Sequence, residues 1–465
     1  MQNLTPKKQH KKLPRWFMFL AIGLGILTTS FDSSAVVTIL PMISHAFHSN
    51  AYDAKWVITS YLLTISALLL TAGQLGDMLG HRRLYLAGLA ISFAGALLCA
   101  SASSISMLVL FRIAEGLGTV LVLANAAALI TKLCAANRRG RMLGFLSSMA
   151  YTGIIMGPLL SGLLSGIFGW RSVFIVVALL VTAAFLLGAY SLPSERRNKT
   201  IRQLNILQTV LVALALGSIV LAFHMSDRLG WQSSSVISLL TAAFVAIMIV
   251  VRRGIVNFDV LQHSYLSFHR PIVFAAGTAM FCYVALYSVT LVLPFFFFSQ
   301  HAFNPVKLGL ILSVRPALTA LLAPVGGIFS DRNDTRMVSA SGLFILLLAL
   351  MAFTIWDGQS QITGMIISLA GIGAGMGIFL PANHRLIMST VSTEKIGMAS
   401  AILSLTRNIG MLIGTSLGGT FILAPTVNRV NVVFYISAGI VGIMVLNMAF
   451  DSLAGFMKQR NVLYP

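Results

Sequence analysis

Charge is what this sequence has least of. Only 9% of its 465 residues are Asp, Glu, Lys or Arg, where an ordinary soluble domain carries about 25%. Acidic residues are scarcer still, 12 against 32 Lys and Arg. Such a shortage, with 57% hydrophobic residues, excludes a soluble globular chain and makes lipid the solvent. The three cysteines, Cys99, Cys134 and Cys282, are scattered, without CxxC spacing or a nearby His set. They read as packing residues, with no disulfide and no metal implied. A phosphate loop is missing too. Gly371-Ile-Gly373-Ala-Gly375-Met-Gly377 lies in an apolar run and lacks the GxxxxGK pattern, so helix packing explains it. No catalytic constellation stands out, so the chain is not read as an enzyme and no cofactor is expected.

What the sequence does have is long apolar runs. Crossing the hydrocarbon core takes about 20 apolar residues, and that window gives about fourteen predicted spans. They cover 16–40, 54–76, 84–103, 105–130, 142–166, 170–192, 204–224, 233–252, 271–298, 307–330, 337–356, 361–387, 396–423 and 431–452. Each must be a helix, because lipid satisfies no free backbone N–H or C=O group. The apolar run after Lys7, Lys8, Lys11, Lys12 and Arg15 is too long for a signal peptide and lacks a small-residue cleavage site.

The net charge of +20 would suggest nucleic acid in a soluble protein. Here the cations sit in short runs between spans and read as a topology signal. One side takes the amino-terminal run, Arg82, Arg83, Lys132, Arg138, Arg139, Arg141, Arg196, Arg197, Lys199, Arg202, Arg252, Arg253, Arg270, Arg332, Arg336, Arg385, Lys395, Lys458 and Arg460. The other has Lys55, Arg171, Arg228, Lys307 and Arg429. An asymmetry of roughly five to one puts both termini in the cytoplasm of a multi-pass protein of the cytoplasmic membrane.

The chain also repeats itself. Gly73-Gln-Leu-Gly-Asp77 ends one span and leads through Arg82 and Arg83 into the next; Gly327-Ile-Phe-Ser-Asp331 does the same before Arg332 and Arg336. The expected organisation is a basic tail (1–15), a six-helix bundle (16–192), a linker with two extra helices (193–270), a second six-helix bundle (271–452) and a tail (453–465). Repeats of this kind build transporters whose halves rock about a site near the bilayer midplane.

Several motifs then occur in order: Phe31-Asp32-Ser-Ser34 through Pro41, Gly73-Gln-Leu-Gly-Asp77-Met-Leu-Gly80-His-Arg82-Arg83, Arg112-Ile-Ala-Glu115-Gly116-Leu-Gly118, and Gly153-Ile-Ile-Met-Gly157-Pro158-Leu-Leu-Ser-Gly162 followed by Gly169-Trp170-Arg171. In the second half, Gly397-Met-Ala-Ser400 and Arg407-Asn-Ile-Gly410 through Gly414 follow. Together they resemble the fourteen-helix drug:proton antiporter branch of the major facilitator superfamily. The chain departs from that pattern at Val37, where the family usually has Asn, and at Glu115, where it usually has Gln. The thirteenth helix lacks the acid that some cation exporters of the branch use. The resemblance implies an all-α membrane protein of the major facilitator fold, with two six-helix bundles plus two extra helices.

Proton exchange inside the membrane needs an acid, and only Asp32 and Glu115 lie well inside predicted spans. Arg112 and Glu115 share a helix face at i, i+3, with Thr119 next along it. A membrane Arg is costly unless paired, and the resemblance puts the first and fourth helices at one cavity, so Asp32, Arg112 and Glu115 are the expected proton-coupling group. A permanent salt bridge to Arg112 is the alternative. Arg315, before Pro316, reads either as a carbonyl-bonded or snorkelling cation or as an anion or proton gate; Arg407 reads as packing. Thr119, Asn125, Tyr283, Tyr287, Arg315 and Asn383 are the expected cavity residues. Gly73, Asp77, Gly80, Arg82, Arg83, Gly327 and Asp331 read as a conformational latch, with the glycines allowing close helix approach. Gly153, Gly157 and Pro158, the antiporter motif, are expected to bend the fifth span.

Three readings stay open: a proton-driven exporter of hydrophobic or amphipathic small molecules; a dedicated exporter of one metabolite, siderophore, peptide or lipid, with an anionic or zwitterionic cargo worth testing; and a non-transporting sensor or scaffold. The expected partners are a small-molecule substrate, protons and the bilayer, for a chain acting as a monomer with the proton gradient as energy source.

Overall fold

The computed structural model describes residues 16–134, 136–193, 206–252, 270–356, 362–388, 396–422 and 426–463. The tail at 1–15 and the cations Arg196, Arg197, Lys199, Arg202, Arg253 and Lys395 lie outside them. The described chain is helical: α1 (Trp16–Ala46), the one-turn α2 (Ala51–Ala54), α3 (Trp56–Leu79), α4 (His81–Ser101), α5 (Ile105–Leu133), α6 (Ala136–Phe168), α7 (Arg171–Ser191), α8 (Ile206–Leu229) and α9 (Ser234–Arg252). They are followed by α10 (Arg270–Gln300), α11 (Pro305–Arg332), α12 (Thr335–Phe353), α13 (Ile362–Met388), α14 (Ile396–Gly419) and α15 (Val427–Leu463).

Apart from the one-turn α2, each helix coincides with a predicted span. Among the described residues twelve spans are long and apolar enough to cross a membrane, and Ser234–Val250 is a shorter apolar helix. The helices outrun the predicted ends where polar residues continue them past the hydrocarbon. The clearest case is α15, which runs to Leu463, into the segment read from sequence as a tail.

Large apolar side chains such as Leu110, Leu179, Phe244 and Leu446 are exposed on the outside. That outward display suits lipid rather than water. In the first half α1 packs on α6 and α7, α4 on α5 and α7, and α3 on α5. In the second, α10 packs on α14 and α15, α11 and α12 on α13, and α12 on α15. The halves meet through α6 against α11, α3 against α14, and α1 against α10. The extra pair, α8 and α9, leans on both halves, because α8 touches α3 and α14.

Candidate functional site

The two intramembrane acids meet one arginine. Asp32, Arg112 and Glu115 are 2%, 1% and 0% exposed. Arg112 Nη1 lies 2.8 and 2.9 Å from the Asp32 carboxylate oxygens and 2.7 Å from Glu115 Oε2. The rest of the guanidinium is held as tightly: Nε donates to the Val57 carbonyl at 3.3 Å, and the Tyr61 ring centroid is 3.9 Å from Cζ, a cation–π contact. The Cys99 thiol donates to Glu115 Oε2 at 3.4 Å. Thus α1, α3, α4 and α5 all contribute to one sealed cluster.

Charge in that cluster does not balance. Two carboxylates and one guanidinium sum to one negative charge when both acids are ionised, and no further cation is paired with them among the described residues. Asp32 has both oxygens on Arg112, whereas Glu115 Oε1 has no hydrogen-bond partner among the described residues, nor has Ser92 Oγ. Both residues border a void of about 10 Å³ that also touches Thr28, Thr29 and Thr119, about the space of one water molecule.

Thr119 sits beside this cluster, its hydroxyl accepting from Tyr61 at 3.2 Å. Asn125 contacts a neighbouring helix. Its Oδ1 meets His81 Nδ1 at 2.8 Å and its Nδ2 donates to the Leu121 carbonyl, while His81 Nε2 lies 3.3 Å from Asp77 Oδ1. Asn125 therefore ties α5 to the start of α4. Arg82 ties the same end of α4 to α7, donating to the carbonyls of Leu192 and Ala189 at 2.9 and 2.8 Å. Those carbonyls end a helix, where cations are favoured. Gly80 makes the turn with φ +98°, a conformation that suits glycine alone. Arg83 is exposed.

The close helix approach expected at Gly73 and Gly327 occurs elsewhere. A Cβ on either would meet nothing within 4 Å. One on Gly76 would strike Asn125 and His81, and one on Gly326 would come within 2.8 Å of the Gly377 carbonyl. In the second half Asp331 pairs with Arg385 of α13, a partner no local spacing announces.

The antiporter motif works through its backbone. Pro158 cannot donate to the carbonyl four residues back, and Ser34 of α1 donates to that Ile154 carbonyl at 3.0 Å. Gly153 and Gly157 lie directly on α1, while Gly162 faces α11, where a Cβ would sit 2.8 Å from Gly309 Cα.

Asn383 is buried and donates to the Ala275 carbonyl at 3.1 Å, joining α13 to α10. Tyr283, Tyr287 and Arg315 are half-buried and close to one another. Arg407, read from sequence as packing, joins them: it is an electrostatic neighbour of Tyr151, Tyr283 and Tyr287. Its Nε is buried without a hydrogen-bond partner. Sequence reasoning passed over Tyr61, Ser92 and Tyr151 because uncharged residues on other helices carry no signal. His81 had one, the i, i+4 spacing from Asp77.

A family model described as the Major Facilitator Superfamily matches residues 22–286 and 275–454. The chain belongs to that superfamily. Superfamily relatives include the multidrug resistance protein Stp of Mycobacterium tuberculosis, 30% identical over 87% of this chain and 75% of its own length. The riboflavin transporter RibZ of Clostridioides difficile is 25% identical over 88% of both chains. The tetracenomycin C resistance and export protein of Streptomyces glaucescens is 25% identical over 87% of this chain and 75% of its own length. Superfamily membership makes the chain a multi-pass membrane transporter.

Proposed function

We propose that the chain is a proton-coupled antiporter that exports hydrophobic or amphipathic small molecules across the cytoplasmic membrane, with both termini in the cytoplasm. Residues 16–192 and 271–452 act as its moving halves, and 193–270 as the connection between them. The observation that carries the reading is the unbalanced cluster. Two acids and one arginine lie sealed from water, and an uncompensated buried charge is strongly disfavoured.

One added proton removes the imbalance, and Glu115 Oε1, the oxygen without a partner, is where it goes. Loaded, the cluster is neutral and stable when occluded. Unloaded, it favours the arrangement in which water reaches Glu115. Proton occupancy thereby selects between two conformations, each with its own affinity for cargo. The exporter names of Stp and the tetracenomycin C protein support efflux of small organic molecules. The name of RibZ favours a second reading, a single dedicated metabolite.

The test is transport in proteoliposomes under an imposed pH gradient. Wild-type chain moves an amphipathic probe only while the gradient lasts. Glu115→Gln and Asp32→Asn reduce that movement to the level of protein-free vesicles. Full gradient-driven transport by both variants rejects the mechanism.

A further inference from the structure

We infer that the second half carries a binding site for an aromatic anion, with Arg315 of α11 and Arg407 of α14 as the anion receptors and Tyr151, Tyr283 and Tyr287 as the walls. The inference rests on the transporter reading in one respect: the anion bound there is the cargo.

Both arginines lie inside membrane-spanning helices, and neither pairs with a carboxylate among the described residues. Arg112, by contrast, is engaged by two acids, a carbonyl and an aromatic face. Cations at membrane depth persist where they face a cavity, a partner or a ligand. Here the electrostatic neighbours are neutral: Tyr283 and Tyr287 for Arg315, and these two with Tyr151 and His384 for Arg407. Arg407 Nε is buried and unbonded, while both arginines and all three tyrosines keep part of their surface open. A pair of arginines with no carboxylate partner among the described residues suits a carboxylate, sulfonate or phosphate. Guanidinium suits these groups because its planar fork can bond two oxygens.

The walls define the rest of the ligand. Tyr283 and Tyr287, one turn apart on α10, have ring centroids 6.4 Å apart at 44°. Gly410 and Gly414 of α14 bear on them, each leaving only about 3 Å between a would-be Cβ and the tyrosine Cβ, so α14 fixes where the rings stand. Tyrosine rings offer flat apolar faces with a hydroxyl at the edge, which suits a planar aromatic body.

The site also spans the two halves. Tyr151 comes from α6, and Tyr287 lies beside Ser33 of α1, the residue next to Asp32. The anion and proton sites thus meet neighbouring residues of the same turn of α1.

The experiment uses three probes with one ring system: 2-naphthoate, 2-naphthol and 2-naphthylmethylammonium. Each is titrated calorimetrically into the full chain in phosphatidylcholine nanodiscs, against protein-free nanodiscs. The naphthoate is expected to bind at least about tenfold more tightly than the ammonium, since charge-assisted hydrogen bonds supply that much. Arg315→Gln and Arg407→Gln are each expected to weaken naphthoate binding by about tenfold or more, with the Lys variants intermediate. Should one Gln variant fail to fold, the other decides.

Equal binding of the three probes, no binding of naphthoate, or naphthoate affinity unchanged in the Gln variants overturns the site. The same probes in proteoliposomes separate the two proposals. Arginine-dependent naphthoate binding without gradient-driven movement of any probe sinks the transport mechanism and keeps the site. Gradient-driven movement of the ammonium with no naphthoate binding does the reverse.

Discussion

Three arginines lie at membrane depth in this chain, in two different settings. Arg112, in the first half, is closed off from water and bonded through Nε and Nη1. Arg315 and Arg407, in the second, are half-buried and pair with no carboxylate among the described residues. In the proposed scheme one fold divides its work, with proton exchange in the sealed cluster of the first half and anion recognition at residues drawn from both.

Removing Arg112 is the sharpest way to break that contrast. Arg112→Ala leaves two carboxylates buried with no cation and is expected to destabilise the folded state by about 3–5 kcal/mol, read from denaturant unfolding in detergent. Near-wild-type stability would mean that water reaches the pocket freely. The glycines of the latch repeat the contrast on a smaller scale. Gly76→Ala drives a methyl into Asn125 and His81 and is expected to cost about 1–3 kcal/mol through overpacking, with looser α5–loop packing seen as faster amide exchange.

Tyr61→Phe keeps the ring over Arg112 but removes the bond to Thr119, so a loss of about 1 kcal/mol is expected in the same unfolding assay. Smallest are the changes in open space. Gly73→Ala meets no atom and is expected to be neutral or to stabilise by about 0.5 kcal/mol, since alanine favours the helix. A large loss there would show that Gly73 touches a neighbour in another conformation.

The helices were legible because hydropathy is a property of each segment alone. Asp32 and Arg112 were legible for a related reason: a membrane charge demands a partner, and few were available. Glu115 followed from helical spacing. What escaped depended on rotation about a helix axis. Asn125 is polar at depth, which fits a cavity lining as well as a tie to His81, and only the direction of its side chain decides. Gly73 and Gly76 belong to one motif, yet three residues of rotation give one open space and the other a neighbour. Arg407 looked like filler because its tyrosine neighbours come from α6 and α10, far away in sequence.

Pro158 has a mechanical consequence. Because Ser34 takes the carbonyl that this proline leaves free, the weak point of α6 becomes a rivet to α1. The opposite face of α6, around Gly162, meets Gly309 backbone to backbone, so a side chain added at either glycine would wedge α6 and α11 apart.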